Sequence, residues 1–332
     1  MNAFKWGVIG PGKIARDFAR DLSLIKSYPH KVSAVLSHDL KGAHEFAREF
    51  NIHNYFDDPE QFINTEGLDA VYIASPHTFH HDHTLLCLNN SIPVLCEKPL
   101  AINSEQVKEM INASIANNTF LMEGMWIRFL PSIMRVINLV QQDVIGNLIS
   151  VRANMSYVAP QDEENRFFNP ELGGGSLLDL GIYPIYLSFL LMGKPEKIKA
   201  FGKLSRKGID EACAILFHYP GGEYAVLESS LVEQTDLTAT IYGDKGFIKI
   251  LKPWNEKPAA IQLQLYDKGA VEYLCKWEGR GLHFEAEEVF RCISDGQLYS
   301  NAFCHNTSLD LIGIMDEVRS QIHVRYESEV LG

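Results

Sequence analysis

An α/β protein in two parts is what the 332-residue sequence predicts: a doubly wound parallel sheet over residues 1–124, then an α+β domain over 125–332 built on a large open, mostly antiparallel sheet. Three observations lead there. The chain is longer than one compact core usually extends. Its N-terminal part alternates short apolar runs with helical patterns, the mark of βαβ units and a parallel sheet. Its C-terminal part carries successive strand-like runs joined by tight turns.

Phe4–Ile9 is a short apolar run, followed by Gly10-Pro11-Gly12-Lys13-Ile14-Ala15 and a helical pattern to about Ile25. That is strand, glycine turn, helix. Gly10 permits the tight turn, Gly12 lets the backbone approach a pyrophosphate, and Ala15 stands where helix must pack closely on strand. The first helical residues, Lys13 and Ile14, bring free N–H groups that favour an anion. Val32–Leu36 reads as a second strand, Gly42–Phe50 as a helix, Ala70–Ala74 as a third strand and Val94–Cys96 as a fourth, with Phe120–Met122 the last apolar segment of this part. Right-handed crossovers put the ligand crevice of such a sheet at the carboxyl ends of its strands. The glycine turn lies at one of those ends, so the N-terminal part reads as a dinucleotide-binding Rossmann domain.

The end of the second strand should touch the adenosine ribose, and there the chain reads Ser37-His38-Asp39-Leu40-Lys41. A hydroxyl and basic groups (Ser37, His38, Lys41) suit the 2′-phosphate of NADP, whereas Asp39, two positions later, leaves NAD as the alternative. Ser75-Pro76-His77 and His80 close one strand and open the next helix beside the nucleotide. His77, His80, His81 and His83 have the spacing of metal ligands, but no partner pattern such as His-Glu-x-x-His accompanies them, and no metal is expected.

After the fourth strand comes Cys96-Glu97-Lys98-Pro99-Leu100. With Glu123-Gly124-Met125-Trp126-Ile127-Arg128-Phe129, and with Arg166-Phe167-Phe168-Asn169-Pro170 running on through Gly173-Gly174-Gly175-Ser176 to Asp179 and Tyr183-Pro184, this segment resembles the Gfo/Idh/MocA oxidoreductases, the glucose-fructose oxidoreductase and inositol dehydrogenase family. Order and spacing match over nearly the whole chain, and within the family the segments look most like the dimeric dihydrodiol dehydrogenase branch. The resemblance implies hydride transfer between NADP or NAD and a secondary alcohol or carbonyl of a sugar, polyol or trans-dihydrodiol. It also implies Glu97, Lys98 and Arg128 near the cofactor, Trp126 in the substrate pocket, and a homodimer. His38 departs from the pattern, since NADP-using relatives usually carry arginine there.

Oxidising a secondary alcohol removes the hydroxyl proton as hydride leaves the same carbon, so a general base must lie within hydrogen-bond reach. A free phenol is a poor base partner, with a pKa of ~10. A lysine ammonium about 4 Å away contributes about 4 kcal/mol at an effective dielectric near 20, enough to bring a phenol toward neutral pH. Tyr183 is assigned the proton transfer, Lys98 the cation that makes it acidic, and Asp179 an orienting or substrate-binding carboxylate. Asp179 and Tyr183 are four apart in a helix beginning near Ser176 and share a face expected to meet Lys98 across the domain cleft, while the glycines before it let the backbone pass close to a ligand. The Lys98-Pro99 bond is expected to be cis. Tyr157, Arg166, Phe167 and Trp254 are further pocket candidates.

In the C-terminal part Leu148–Val158, Ile198–Leu204, Ala212–His218, Glu223–Val232, Leu237–Tyr242, Phe247–Leu251, Ile261–Tyr266 and Val271–Trp277 read as strands, with late amphipathic helices at Phe284–Ser294 and Ser308–His323. The apolar positions Val226, Leu237, Ala239 and Ile241 are expected on an uncovered sheet face, which a second copy of the chain would cover. A net charge of −12 argues against a nucleic-acid partner. Neither a membrane span nor a signal peptide is read, and six scattered cysteines without a Cys-x-x-Cys pair fit reduced thiols, so a cytoplasmic protein with a small-molecule substrate and no membrane partner is expected. Two other functions stay open: an NAD-dependent glycosidase of the same fold, which would accumulate no reduced nucleotide, and a non-catalytic dinucleotide sensor, which has no need of Lys98, Asp179 and Tyr183 in register.

Overall fold

The computed structural model describes residues 3–160 and 165–326. The chain opens with β1 (Phe4–Ile9), α1 (Lys13–Asp21), β2 (His30–Leu36), α2 (Leu40–Phe50), β3 (Asn54–Phe56), α3 (Pro59–Ile63), β4 (Ala70–Ile73), α4 (His80–Asn89), β5 (Val94–Glu97), α5 (Ser104–Ala116) and β6 (Leu121–Gly124). These strands form one parallel sheet in the order β3-β2-β1-β4-β5-β6, the doubly wound arrangement. Its central strands β4 and β5 are buried along their whole length, as a sheet covered on both faces requires. Asp39, Asp58 and Asn103 cap α2, α3 and α5 by accepting backbone N–H groups, which sets where those helices start. β3 is absent from the sequence reading. It has three residues, none buried, and pairs only with β2 at the sheet edge.

The chain continues with α6 (Pro131–Gln141), β7 (Leu148–Ser156), α7 (Ile182–Met192), β8 (Lys197–Leu204), β9 (Asp210–His218), β10 (Tyr224–Ser230), β11 (Ala239–Gly243), β12 (Gly246–Ile250), β13 (Ala260–Leu265), β14 (Ala270–Leu274), α8 (Leu282–Ser294) and α9 (His305–Ile322). All eight expected strands are present in one sheet, ordered β14-β13-β12-β11-β7-β10-β9-β8. Every pair is antiparallel except β10 with β7.

Two compact units result, and their boundary differs from the single cut at 124/125. The first takes residues up to Trp126 together with Trp277–Leu309, and the second takes Ile127–Lys276 and the residues from Asp310 on. The return of 277–309 has a physical cause at α1. The Asp21 carboxylate accepts N–H groups of Arg280, Gly281 and Leu282, and Phe290 of α8 packs against Phe4 and Tyr28 with ring centroids at 5.4 and 4.9 Å.

In the second unit α7 lies against the sheet over β7 and β10. Ala239 and Ile241 belong to this covered face: both are fully buried, in register with Ala153 and Val151. Their expected exposure is therefore corrected. Alternation shows that Ala239 and Ile241 share a face, but not which face the helix takes, and they fall on the side of Ala153 and Val151. Leu237 precedes the strand with φ 51°. Val226 does stand on the open face, with Leu216 and Phe201. Among the described residues one stretch, Pro170–Met192, is long and apolar enough to cross a membrane by length and composition, contrary to the sequence reading, but 78% of its most apolar window is buried in the protein, as suits a core helix.

Candidate active site

In the first unit the candidate residues gather at the carboxyl ends of the strands. Gly10 has φ +84°, and a Cβ there would lie 2.6 Å from the Ser75 nitrogen and 2.8 Å from the Ala74 carbonyl, so only glycine fits. Gly12 is different: a Cβ would meet nothing within 4 Å. It is the N-cap of α1, no side chain caps that helix, and no acidic residue stands in its first turn. Open space in front of uncapped N–H groups fits the pyrophosphate of a dinucleotide. Lys13 reaches into solvent and pairs with Asp17 at 3.0 Å, while Ile14 is half-buried.

At the end of β2, Ser37 is buried and His38 and Lys41 are exposed. Asp39 is occupied: its Oδ1 accepts the Gly42 N–H at 2.7 Å and its Oδ2 lies 3.0 Å from His38 Nε2. Its role as the α2 cap leaves the basic and hydroxyl groups as the distinctive feature of this loop.

His80 is fully buried, with Nδ1 2.8 Å from the Pro99 carbonyl and Nε2 2.8 Å from the Ser75 carbonyl. It ties the loop after β4, in which Ser75, Pro76 and the buried His77 lie, to the turn after β5. Burial pulls its pKa down to about 4, against the two carbonyl bonds that favour the charged ring. His83 pairs with the Ser75 hydroxyl at 3.0 Å, and His81 with Asp82 and Glu109.

Lys98 follows β5 and is only 9% exposed. Its bond to Pro99 is cis, as expected. The preceding Glu97 accepts the Tyr72 hydroxyl on Oε1 and lies 3.3 Å from the Lys98 amide through Oε2. Beyond the turn, the Leu100 amide donates to Glu123 at 3.0 Å. Burial pushes the Glu123 carboxyl up to about 7, opposed by hydrogen bonds from Ser308 and Leu100. Behind these groups Glu285 is fully buried with no hydrogen-bond partner on either oxygen, and burial, with Glu97 and Asp21 nearby, holds it well above the ordinary carboxylate range. The sequence reading quoted Glu123 without a role and missed Glu285. Trp126 closes the first unit as a buried side chain.

In the second unit Arg166, Phe167, Tyr157 and Asp179 come together. An Arg166 nitrogen lies 3.3 Å from Asp179 Oδ2, its guanidinium stands 4.1 Å from the Phe167 ring centroid, and Phe167 and Tyr157 are 5.5 Å apart. Asp179 and Tyr183 are 8% and 7% exposed. The helix that carries them is not uniform: Leu177–Gly181 is a π turn that passes into α7 at Ile182. Such turns concentrate at functional sites because they re-aim side chains at the cost of regular bonding. Arg128 is half-buried beside Met134 and the Phe129 ring.

Two expectations are corrected here. Trp254 is no pocket wall: it is fully buried, and its indole N–H donates to the Asn154 carbonyl at 2.7 Å, satisfying the one polar group that would otherwise seek an outlet. Gly174 and Gly175 make room for the protein's own chain. A Cβ on Gly174 would lie 2.8–2.9 Å from the carbonyls of Phe167, Arg166 and Asn169, and one on Gly175, at φ +125°, would lie 2.5 Å from Asp210 Oδ1.

Residues 4–125 match the oxidoreductase family with an NAD-binding Rossmann fold, and residues 133–249 match the GFO/IDH/MocA C-terminal domain. The chain belongs to the Gfo/Idh/MocA oxidoreductase family. Curated relatives include trans-1,2-dihydrobenzene-1,2-diol dehydrogenases of Xenopus laevis and Homo sapiens, 34% and 30% identical, each match covering 98% of this chain and 99% of the relative. Among solved structures, an aldose-aldose oxidoreductase from Caulobacter crescentus complexed with glycerol has TM-score 0.88 at 20% identity, covering 97% of this chain and 98% of the other. A levoglucosan dehydrogenase in complex with NADH and L-sorbose has TM-score 0.86 at 18% identity, covering 97% of both chains. The family and its named relatives make this chain an NAD(P)-dependent oxidoreductase.

Proposed function

We propose that the chain is a dehydrogenase that prefers NADP and oxidises a secondary hydroxyl of a trans-diol or sugar, or reduces the corresponding carbonyl. The observation that carries this reading is Lys98: a lysine almost wholly out of water at the carboxyl end of a Rossmann strand, where burial of a cation needs a functional reason. Full-length relatives named as trans-diol dehydrogenases support the substrate class.

When bound, the nicotinamide nucleotide supplies the hydride acceptor or donor. The N–H groups after Gly12 would hold its pyrophosphate, and Ser37, His38 and Lys41 suit a 2′-phosphate, Asp39 being engaged as a cap. The Lys98 ammonium favours the phenolate form of Tyr183, which takes the hydroxyl proton and becomes a neutral phenol, and Asp179, oriented by Arg166, binds a second hydroxyl of the substrate. Phe167 and Tyr157 suit a substrate with an apolar edge.

The decisive experiment pairs Tyr183→Phe with Lys98→Met and the double variant. Tyr183→Phe is expected to cut turnover by about a thousandfold with the NADP dissociation constant nearly unchanged, and the double variant to lose far less than the product of the singles, because the two act as a unit. Wild-type turnover in Tyr183→Phe rejects the assignment. Titration with both nucleotides tests the preference for NADP, and equal or tighter NAD binding rejects it. The open sheet face bearing Phe201, Leu216 and Val226 supports a homodimer, testable by light scattering of the wild type and of Leu216→Asp. Six unpaired thiols support a cytoplasmic location, testable by fractionation.

A further inference from the structure

We propose that Asp210 is a positioning residue for the turn that carries Asp179 and Tyr183, and so sets how fast the proton is moved without touching substrate or cofactor. This rests on the roles given above to those two residues. Asp210 opens β9 and is fully buried. Its Oδ2 accepts the Ser176 hydroxyl at 2.7 Å and the Leu177 amide at 2.6 Å. Leu177 is the first residue of the π turn that holds Asp179 and leads directly into Tyr183, so one carboxylate oxygen fixes where that turn begins. The Ser176 hydroxyl is also 2.9 Å from Ser229 of β10, which anchors the same point to a second strand.

The glycines are shaped to this carboxylate. Gly175 at φ +125° brings the chain so near Asp210 Oδ1 that a methyl group would lie 2.5 Å from it, and the Tyr326 hydroxyl donates to the Gly174 carbonyl at 2.7 Å. With both donors on Oδ2 and no hydrogen-bond partner on Oδ1, the ionised acid suits the site, and a proton has only Oδ1 to occupy. The neighbouring titratable and charged groups are Cys213 on the same strand, Glu211 paired with Lys203 of β8, Tyr326 beneath Arg319 of α9, and Asp179 itself with Arg166. Burial pushes Asp210 up to about 6, against the bonds from Ser176 and Leu177, so protonation falls within reach of an ordinary pH profile. Charge-assisted bonds weaken when the acid is neutralised, and the turn loses its anchor on the acid side.

The test uses the full-length enzyme with Asp210→Asn, which keeps an acceptor for both donors but never titrates, and with Ser176→Ala, which removes one donor alone. Asp210→Asn is expected to lower kcat by about tenfold or more with the NADP dissociation constant within about twofold of wild type. The acid-side fall of kcat centred near pH 6 disappears in Asp210→Asn and persists in Ser176→Ala. Amide exchange should quicken in Leu177–Ile182 in both variants relative to the rest of α7. A wild-type pH profile in folded Asp210→Asn, or wild-type exchange in Leu177–Ile182 in both variants, overturns the proposal. Failure of the function reading is separately visible, as wild-type turnover in Tyr183→Phe.

Discussion

Removing the Asp21 carboxylate should cost the first unit about 3–4 kcal/mol, because one side chain supplies the whole N-terminal cap of α8. Gly281, at φ +105°, precedes that helix and offers no side-chain cap of its own. Asp21, 3% exposed at the end of α1, accepts the amides of Arg280 at 2.9 Å, Gly281 at 2.8 Å and Leu282 at 3.0 Å, with His283 Nδ1 at 3.5 Å. A bond to a buried charge is worth about 1.5–3 kcal/mol, and water recovers part of three such bonds once the carboxylate is gone, which leaves roughly the total above for Asp21→Ala. Asp21→Asn keeps one acceptor and should cost about 1–2 kcal/mol. For a unit of this size about 2–4 °C is lost per kcal/mol, so Asp21→Ala should melt roughly 10 °C early at neutral pH. Acid dependence supplies a second check. Burial raises the Asp21 pKa, but the His283 and backbone bonds outweigh it and the net shift is below 3.8. A depressed folded pKa contributes stability that is present above the unfolded value and lost as pH falls through the folded one. The gap between wild type and Asp21→Asn should therefore hold at pH 7 and narrow below pH 3.8. Calorimetry across that range measures both. An Asp21→Ala protein melting within about 2 °C of wild type at pH 7 would refute the capping argument.

Gly12→Asp should separate nucleotide binding from folding. An aspartate N-cap suits α1 and leaves the melting temperature unchanged or raised, yet it puts a carboxylate in the open space before the helix, so nucleotide affinity should fall by about tenfold or more in a fluorescence titration. Glu123→Gln should flatten the pH dependence of stability above its ordinary range. The folded pKa of about 7 lies above the ordinary value of 4.5, so the wild type loses stability as pH rises between them. That loss is roughly 3 kcal/mol, and denaturant titrations at pH 5 and pH 8 should show it in wild type and not in the variant.

How far such features could be read from the sequence depends on whether their cause is local. Central strands announce themselves, because a parallel strand buried on both faces must be an apolar run, and β1, β4 and β5 were all legible. β3 was not: three unburied residues held by one neighbour leave no pattern. The docking of 277–309 onto the first unit left no trace either, since its polar part is a carboxylate meeting backbone amides 259–261 positions away. Backbone donors have no sequence signature. Buried acids pose the same difficulty. Glu123, Asp210 and Glu285 stand on strands or a helix, where nothing in a carboxylate's residue type marks it as buried, and only the packing around them shows it.

Glycine carries the sharpest form of the ambiguity, because the residue type reports that something comes close without saying what. At Gly10 the backbone of Ala74 and Ser75 is close and the conformation itself is left-handed, so the glycine is explained within the Rossmann sheet. At Gly12 nothing is close, and open space in front of an uncapped helix suits a phosphate. At Gly174 and Gly175 the neighbours are carbonyls and the Asp210 carboxylate, so a run that reads in sequence as a ligand passage is instead a seat for the protein's own polar groups. The same residue type thus serves a turn, an open approach to a helix N-terminus and an internal anchor. A glycine motif becomes a functional argument only after the atoms a Cβ would meet have been identified.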